Sequence, residues 1–375
     1  MKFIIHRETF LKSLNTTSKA IASKAIIPAL ANFKITVTKQ GIDITTSNGD
    51  TSIIDKIATN KEDGTTILSV EREGSCLAFG RLVEIVRKLS GTDVSVELID
   101  SSILKVDDGK SSYKLATMDA EEFPNFDFAL DEECSFKMST QEFAKCANQV
   151  AFAASTKDSK PILTAVNFCT ANGELTITAT DTARLSRKIV KIGTNKLLKA
   201  NIPAKTFQDV AKMAEEFKEI TIGILEKKAY FVFGNTILFT TLISGDYPNV
   251  SSIISRSFSI VLEANAQEMI DAMERVSVLF LERNVSAKLK ITRGEVKISS
   301  KSPTLGSVEE SISRFSFDSE DFELIYNCDY VLGAIRALGQ SDVIFEFGGS
   351  LKPFIIRSEN EPSLVQVITP LRMFN

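Results

Sequence analysis

Apolar and polar residues alternate one by one along short runs of this chain, and each run gives way to apolar residues spaced three and four apart. Period two marks a half-buried strand and period 3.6 an amphipathic helix. The change occurs in the same order three times. FIIHRETFLKSLNTTSKAI from Phe3, FKMSTQEFAKCANQVAFAA from Phe136 and FSIVLEANAQEMIDAMERVSVL from Phe258 each pass from strand to helix. Thr9, Thr140 and Asn265 stand near the changes as candidate caps.

A hairpin follows each time: PALANFKITVTKQGIDITTSNGD from Pro28, PILTAVNFCTANGELTITATD from Pro161 and SAKLKITRGEVKISSKS from Ser286, with Gly41, Gly173 and Gly294 expected at the turns. Then come second helices, AFGRLVEIVRKLSG, PAKTFQDVAKMAEEF and CDYVLGAIRALGQ, and more alternating runs. EEFPNF and GDYPNV close the first two copies with an aromatic-Pro-Asn turn. The reading is α+β: three tandem domains, 1–127, 128–252 and 253–375, each of antiparallel sheet with two helices on one face. At roughly 120–130 residues, each copy has an ordinary domain size.

Open sheets expose strand edges that must be covered or paired. Tandem copies can pair edge to edge, and if the rotation closes, the product is a ring. Two chains would supply six domains and about twelve inward helices. Packed ~10 Å apart, these give a circumference near ~120 Å and an opening of roughly 28 Å. A DNA duplex would pass.

Composition narrows the chemistry. The 375 residues carry 44 basic and 48 acidic side chains, net −4, which argues against a nucleic-acid binder basic over its whole surface. The helices of the first two copies are locally basic (Lys12, Lys19, Lys24, Arg81, Arg87, Lys88; Lys145, Lys157, Lys160, Lys205, Lys212), while the third has Glu268, Asp271 and Glu274 against Arg275. A solvated helix face accounts for these lysines equally well. The five cysteines lack metal or disulfide spacing, which fits a reducing cytoplasm. His6 is the only histidine, and no phosphate loop or nucleophile elbow occurs. The acidic runs Glu121-Glu122 and Asp131-Glu132-Glu133 read as solvated loops. No catalytic residue, metal or cofactor is expected, nor is a signal peptide or membrane span.

Several stretches, in this order over the full length, carry a resemblance: MKF, IPAL (Ile27–Leu30), ATMDAEEFPNF (Ala116–Phe126), KPILTAV (Lys160–Val166), ATDTARLS (Ala179–Ser186), GDYPNV, NCDYVLGAIRAL (Asn327–Leu338), PFIIR (Pro353–Arg357) and ITPLR (Ile368–Arg372). The chain resembles the bacterial sliding-clamp family, the beta subunits of DNA polymerase III holoenzyme. That resemblance implies half of a six-domain ring: a non-catalytic processivity factor in the cytoplasm, closed as a head-to-tail homodimer around duplex DNA. The implied partners are the replicative polymerase subunit, a clamp loader and other proteins with a clamp-binding motif.

The resemblance also implies a partner-peptide pocket. Matching positions are Leu163, Thr180, Arg184 and Leu185 in the second repeat, Pro248 and Ile253 near its end, Asn327 and Tyr330 in the third, and Val367, Ile368, Pro370, Leu371 and Arg372 in the tail. Lys24, Lys157 and Lys160 match phosphate-contacting positions, and Tyr113 and Leu115 against Val278 and Leu279 match the subunit junction. The chain departs from the pattern at Thr182-Ala183, where the family often has Gly-His. It departs also at Thr369, where an apolar residue is common, and at Pro161-Ile162, where two tyrosines are familiar. The alternative function is a repeat-built interaction scaffold that does not encircle DNA.

Overall fold

The computed structural model describes residues 1–22, 24, 26–59, 67–254, 258–280, 285–339 and 342–372. It forms two compact units, Met1–Thr140 with Asp209–Leu242, and Gln141–Gln208 with Ile243–Asn375. The division falls inside the helix Ala204–Ala214.

The first unit is built on a thirteen-stranded sheet. At one end lie strands Ser135–Ser139, Glu219–Ile224, Lys228–Phe233 and Thr236–Thr241; the last pairs with Thr51–Ala58, and the ladder runs on through Gly41–Ser47 and Asn32–Thr38. Gly74–Phe79, Ser112–Met118, Ile103–Asp107, Asp93–Asp100, Lys2–His6 and Ile67–Arg72 complete it. Helices Arg7–Thr17 and Leu82–Lys88 bury Phe10, Leu14, Leu82 and Val86 among Phe3, Ile5, Phe33, Ile35, Val94 and Val96. Fully burying side chains of this size contributes about 1.5–3 kcal/mol each.

The second unit holds a nine-stranded sheet in the order Lys199–Pro203, Ala165–Ala171, Glu174–Thr180, Arg184–Lys191, Leu364–Ile368, Phe354–Arg357, Val343–Phe347, Ile260–Ala264 and Phe315–Phe317. A four-stranded sheet runs Gly306–Ile312, Glu295–Ser302, Ser286–Thr292, Phe322–Asn327. Helices Ala266–Ser277 and Cys328–Leu338 share the core of the third repeat, burying Met269, Met273, Val331 and Ile335 against Leu289, Ile298 and Phe345. In the second repeat Phe207 meets Phe143 and Phe168 edge-on, with centroids 4.9 and 5.1 Å away.

The helix starts qualify the expected caps. Asn265 caps as expected, its Oδ1 accepting from Glu268 N–H at 3.1 Å. Thr9 lies inside a helix that starts at Arg7. Strand pairing continues through His6 opposite Asp93, and Arg7 N–H donates to Thr92 O at 2.8 Å, so the ladder satisfies the first of the four amides that a helix start leaves without an intrahelical partner. The Thr140 hydroxyl donates to the carbonyl of Phe217. Gly41 opens a strand and does not turn it; a Cβ there would stand 2.3 Å from Ile57 O. Asn172 and Gly173, with φ of 53° and 79°, make the left-handed two-residue turn expected at Gly173.

The edge pairing expected between copies occurs twice. Thr51–Asp55 pairs antiparallel with Thr236–Thr240, joining first repeat to second. Arg184–Lys188 pairs with Leu364–Ile368, joining second to third. Among the described residues no helix is long and apolar enough to cross a membrane.

Phe207→Ala is expected to lower stability by about 3–5 kcal/mol, since two edge-on neighbours lose their partner. Equilibrium denaturation checks this, and a loss under 1 kcal/mol would contradict it.

Candidate functional site

The pocket residues named from the sequence all lie in the second unit. Strands Glu174–Thr180 and Arg184–Lys191 are joined by Asp181-Thr182-Ala183. Asp181 Oδ1 accepts the N–H of Ala183 and of Arg184, both at 2.9 Å, and its Oδ2 accepts Arg184 Nε–H at 3.0 Å. Thr180 Oγ1 donates to Arg184 O at 2.6 Å and accepts Thr182 N–H at 3.1 Å. Thr182 is held at φ 80°, a conformation that a β-branched residue rarely adopts. The turn fixes Arg184, whose guanidinium carbon lies 4.5 Å from the Tyr330 ring centroid and 5.5 Å from that of Phe152. Burial, then the neighbouring Asp181 charge, pushes the Tyr330 hydroxyl above its ordinary pKa, with Arg184 opposing.

Leu185 faces Val367 across the ladder, and Val367 faces Ile355. These three are buried in one apolar cluster, and Val250, Ile253, Ile254, Phe258 and Val365 pack on it. The helical turn Ser251–Ile254 brings Ile253 and Ile254 there. Just before it, the hydroxyl of Tyr247 accepts Thr180 N–H at 2.9 Å, anchoring the segment that carries exposed Pro248. Burial pushes the Tyr247 hydroxyl well above its ordinary pKa.

The tail reveals why a strand should end in Pro-Leu-Arg. Ile368 is fully buried in the third-repeat core and closes the ladder. Thr369 N–H donates to Ala183 O at 2.8 Å, and Leu371 N–H to Ile325 O at 2.7 Å. Pro370, with no N–H to place, lets the chain leave one sheet for the edge of the other. Leu371 and Arg372 are exposed.

The predicted residues thus fall into groups. Leu185, Val367 and Ile253 form an apolar floor; Thr180, Arg184 and Tyr330 form a polar, aromatic rim. Asn327 acts as a helix cap, its Oδ1 accepting Tyr330 N–H at 3.2 Å, which positions the ring. Leu163 is buried in a 3₁₀ turn, Pro161–Thr164. Sequence reasoning left out Asp181, Phe152, Ile355 and Tyr247. Asp181, Tyr247 and Ile355 stand in ATDTARLS, GDYPNV and PFIIR; Phe152 gives no sign beyond apolarity. A floor of aliphatic side chains with a fixed polar rim suits an extended peptide carrying apolar anchors.

Lys24, in the first unit, and Lys157 and Lys160, in the second, are exposed. Two other cations read as a basic face are engaged: Lys12 pairs with Glu216, and Lys145 with Glu361. Two of the three acids of the third repeat, Glu268 and Glu274, are offset as well. Burial alone would raise the Glu268 carboxyl, but hydrogen bonds from Ser313 and Arg314 outweigh it and bring it to about 2. Glu274 pairs with Arg336. Tyr113 is exposed and Leu115 half-buried on the strand Ser112–Met118; Val278 is 77% exposed and Leu279 half-buried past the helix Ala266–Ser277.

Comparison with known proteins gives three consecutive family matches: DNA polymerase III beta subunit N-terminal domain over 1–127, central domain over 137–249 and C-terminal domain over 251–372. The chain is 31% identical over 380 residues to the beta sliding clamp of Bacillus subtilis and 29% identical to that of Staphylococcus aureus, with 100% of each chain covered. It superposes on the crystal structure of the DNA polymerase sliding clamp from Bacillus subtilis with TM-score 0.94 at 29% identity. On the beta subunit from DNA polymerase of Streptococcus pyogenes the score is 0.92 at 26%, each over 100% of both chains.

Thr182→Gly is expected to raise stability by about 1 kcal/mol, because glycine takes this φ without strain. Denaturation midpoints check it, and an unchanged or lower midpoint would mean the turn stores no strain.

Proposed function

The chain belongs to the DNA polymerase III beta subunit family, and from that premise we propose that two copies close head to tail around duplex DNA and tether the replicative polymerase. It is a sliding clamp, a processivity factor without a catalytic step of its own. Its domains are 1–127, 128–252 and 253–375, and it works in the bacterial cytoplasm, where a clamp loader opens the ring.

One observation carries the head-to-tail reading. At each internal seam, the fourth strand of one repeat's sheet pairs with the last strand of the next: Thr51–Ala58 with Thr236–Thr241, and Arg184–Lys191 with Leu364–Ile368. The third repeat's counterpart, Gly306–Ile312, ends the four-stranded sheet and among the described residues is paired on one side only. The first repeat's counterpart, Ser112–Met118, is paired along its length on one side and only through Thr117 and Met118 on the other. Two complementary open edges on one chain fit the same seam made between chains. Lys114 on one edge and Glu309 on the other are exposed and opposite in charge, and Tyr113 and Leu115 would meet Val278 and Leu279 there as an apolar contact.

Lys24, Lys157 and Lys160 supply weak phosphate contact without base reading. The floor of Leu185, Val367 and Ile253 with the Arg184–Tyr330 rim receives the peptide of the polymerase subunit, the clamp loader or another clamp-motif protein.

Loaded on a nicked circle, the protein is expected to survive salt that strips ordinary phosphate binders, and to leave once the circle is cut. Retention assays by gel filtration measure both, and full retention on the linear form would sink the encirclement. Lys24→Glu with Lys160→Glu is expected to lower loading severalfold while peptide binding stays within about twofold; equal losses in both would contradict the division of roles.

A further inference from the structure

Behind the pocket, in the second unit, lies a buried polar cluster. Strand alternation sends Leu185 and Val367 to the apolar floor and their neighbours Ser186 and Gln366, directly paired, to the opposite face. There they meet Gln149, 6% exposed, near the end of the helix Thr140–Val150. The carbonyl of Gln149 accepts from Ser186 Oγ at 2.7 Å and from Gln366 Nε2 at 3.3 Å. Its side-chain Oε1 accepts from Lys188 Nζ at 2.6 Å, and its Nε2 donates to Ala337 O at 3.0 Å, on the helix that carries Tyr330.

Lys188 is 1% exposed, and its ammonium also lies 3.3 Å from Glu361 and 3.4 Å from Glu142. Burial alone would raise the Glu361 carboxyl, but hydrogen bonds from Lys145 and Ser363 and the Lys188 charge hold it down at about 2. Glu361 is therefore a carboxylate at any working pH. A buried charge of this kind adds little net stability; its best-attested use is to specify register.

We propose that Gln149, backed by Lys188 and Glu361, is the positioning residue of the peptide pocket. It locks strand Arg184–Lys191 against Leu364–Ile368 from behind and so sets the affinity for an extended apolar peptide that none of the three touches. A slip of one residue would turn Leu185 or Val367 away from the floor and bring a polar neighbour into it. Ser186 and Gln366 reach the main-chain carbonyl of Gln149 together only in this register, and the Gln149 side chain fixes where that carbonyl stands through its bonds to Lys188 and Ala337. Its bond to Ala337 ties the rim helix to the same lock.

This inference rests on the pocket reading above. The test uses the full chain and a fluorescent synthetic peptide with Leu and Phe anchors on an extended backbone. Binding is read by anisotropy, and amide exchange of the 184–188 and 364–368 ladder by mass spectrometry. Gln149→Leu and Lys188→Met are expected to weaken binding roughly 2–30-fold, the range for residues coupled to a site they do not touch, and to speed exchange in that ladder. Unchanged affinity in well-folded Gln149→Leu and Lys188→Met, even with lowered thermal midpoints, would overturn the positioning role alone. If neither folds, Lys145→Gln loosens Glu361 from its exposed side and should weaken binding in the same direction; unchanged affinity there would overturn the role too. No binding by the unsubstituted chain would overturn the pocket reading itself.

Discussion

An antiparallel strand offers N–H and C=O groups to both sides, and a strand paired on one side leaves a row of them unmet. The organisation of this chain follows from that constraint. Thr51–Ala58 and Arg184–Lys191 would each be an open edge were its repeat alone, and each is completed by the last strand of the following repeat. Sheets therefore run through the repeat boundaries. Repeats joined this way still leave one edge of each kind, at Gly306–Ile312 and along Ser112–Ala116. A second copy of the same chain can satisfy both at once, with a grip on DNA that comes from closure and needs no strong phosphate contact.

The apolar floor at Leu185 and Val367 is a consequence of the second seam. Pairing Leu185 with Val367 sets two aliphatic side chains together on one face, and the same pairing places Ser186 and Gln366 before Gln149 on the other. The rim depends on different physics. Asp181 holds a strained turn, the turn aims Arg184, and aromatic rings on both sides hold the guanidinium. Pro370 then frees the tail from the ladder, and Leu371 bridges to Ile325 with its side chain and that of Arg372 exposed.

Part of the charge read from the sequence is paired within the chain. Lys12 and Lys145 pair with acids far away in sequence, and Glu268 and Glu274 of the third repeat are offset by Arg314 and Arg336. Lys19, Lys24, Arg81, Lys88, Lys157, Lys160 and Lys212 of the basic set read from the sequence stay exposed.

The alternation of period two and period 3.6, repeated three times, determined the elements, their order and the α+β class, because burial of one face writes itself into every second or every third and fourth residue. Asn265 as a cap and Asn172-Gly173 as a turn were legible for the same local reason: the groups they serve lie within a few residues. The resemblance supplied Leu185, Val367, Arg184 and Tyr330, but not the parts they play. Only the tertiary structure decided that Thr9 would not cap, that Gly41 is required by Ile57 and not by a turn, that Asn327 orients Tyr330, and that Gln149 and Lys188 sit on the face opposite Leu185 and Val367. Each of those depends on a partner brought from tens or hundreds of residues away, and periodicity records that a side chain is buried without recording against what.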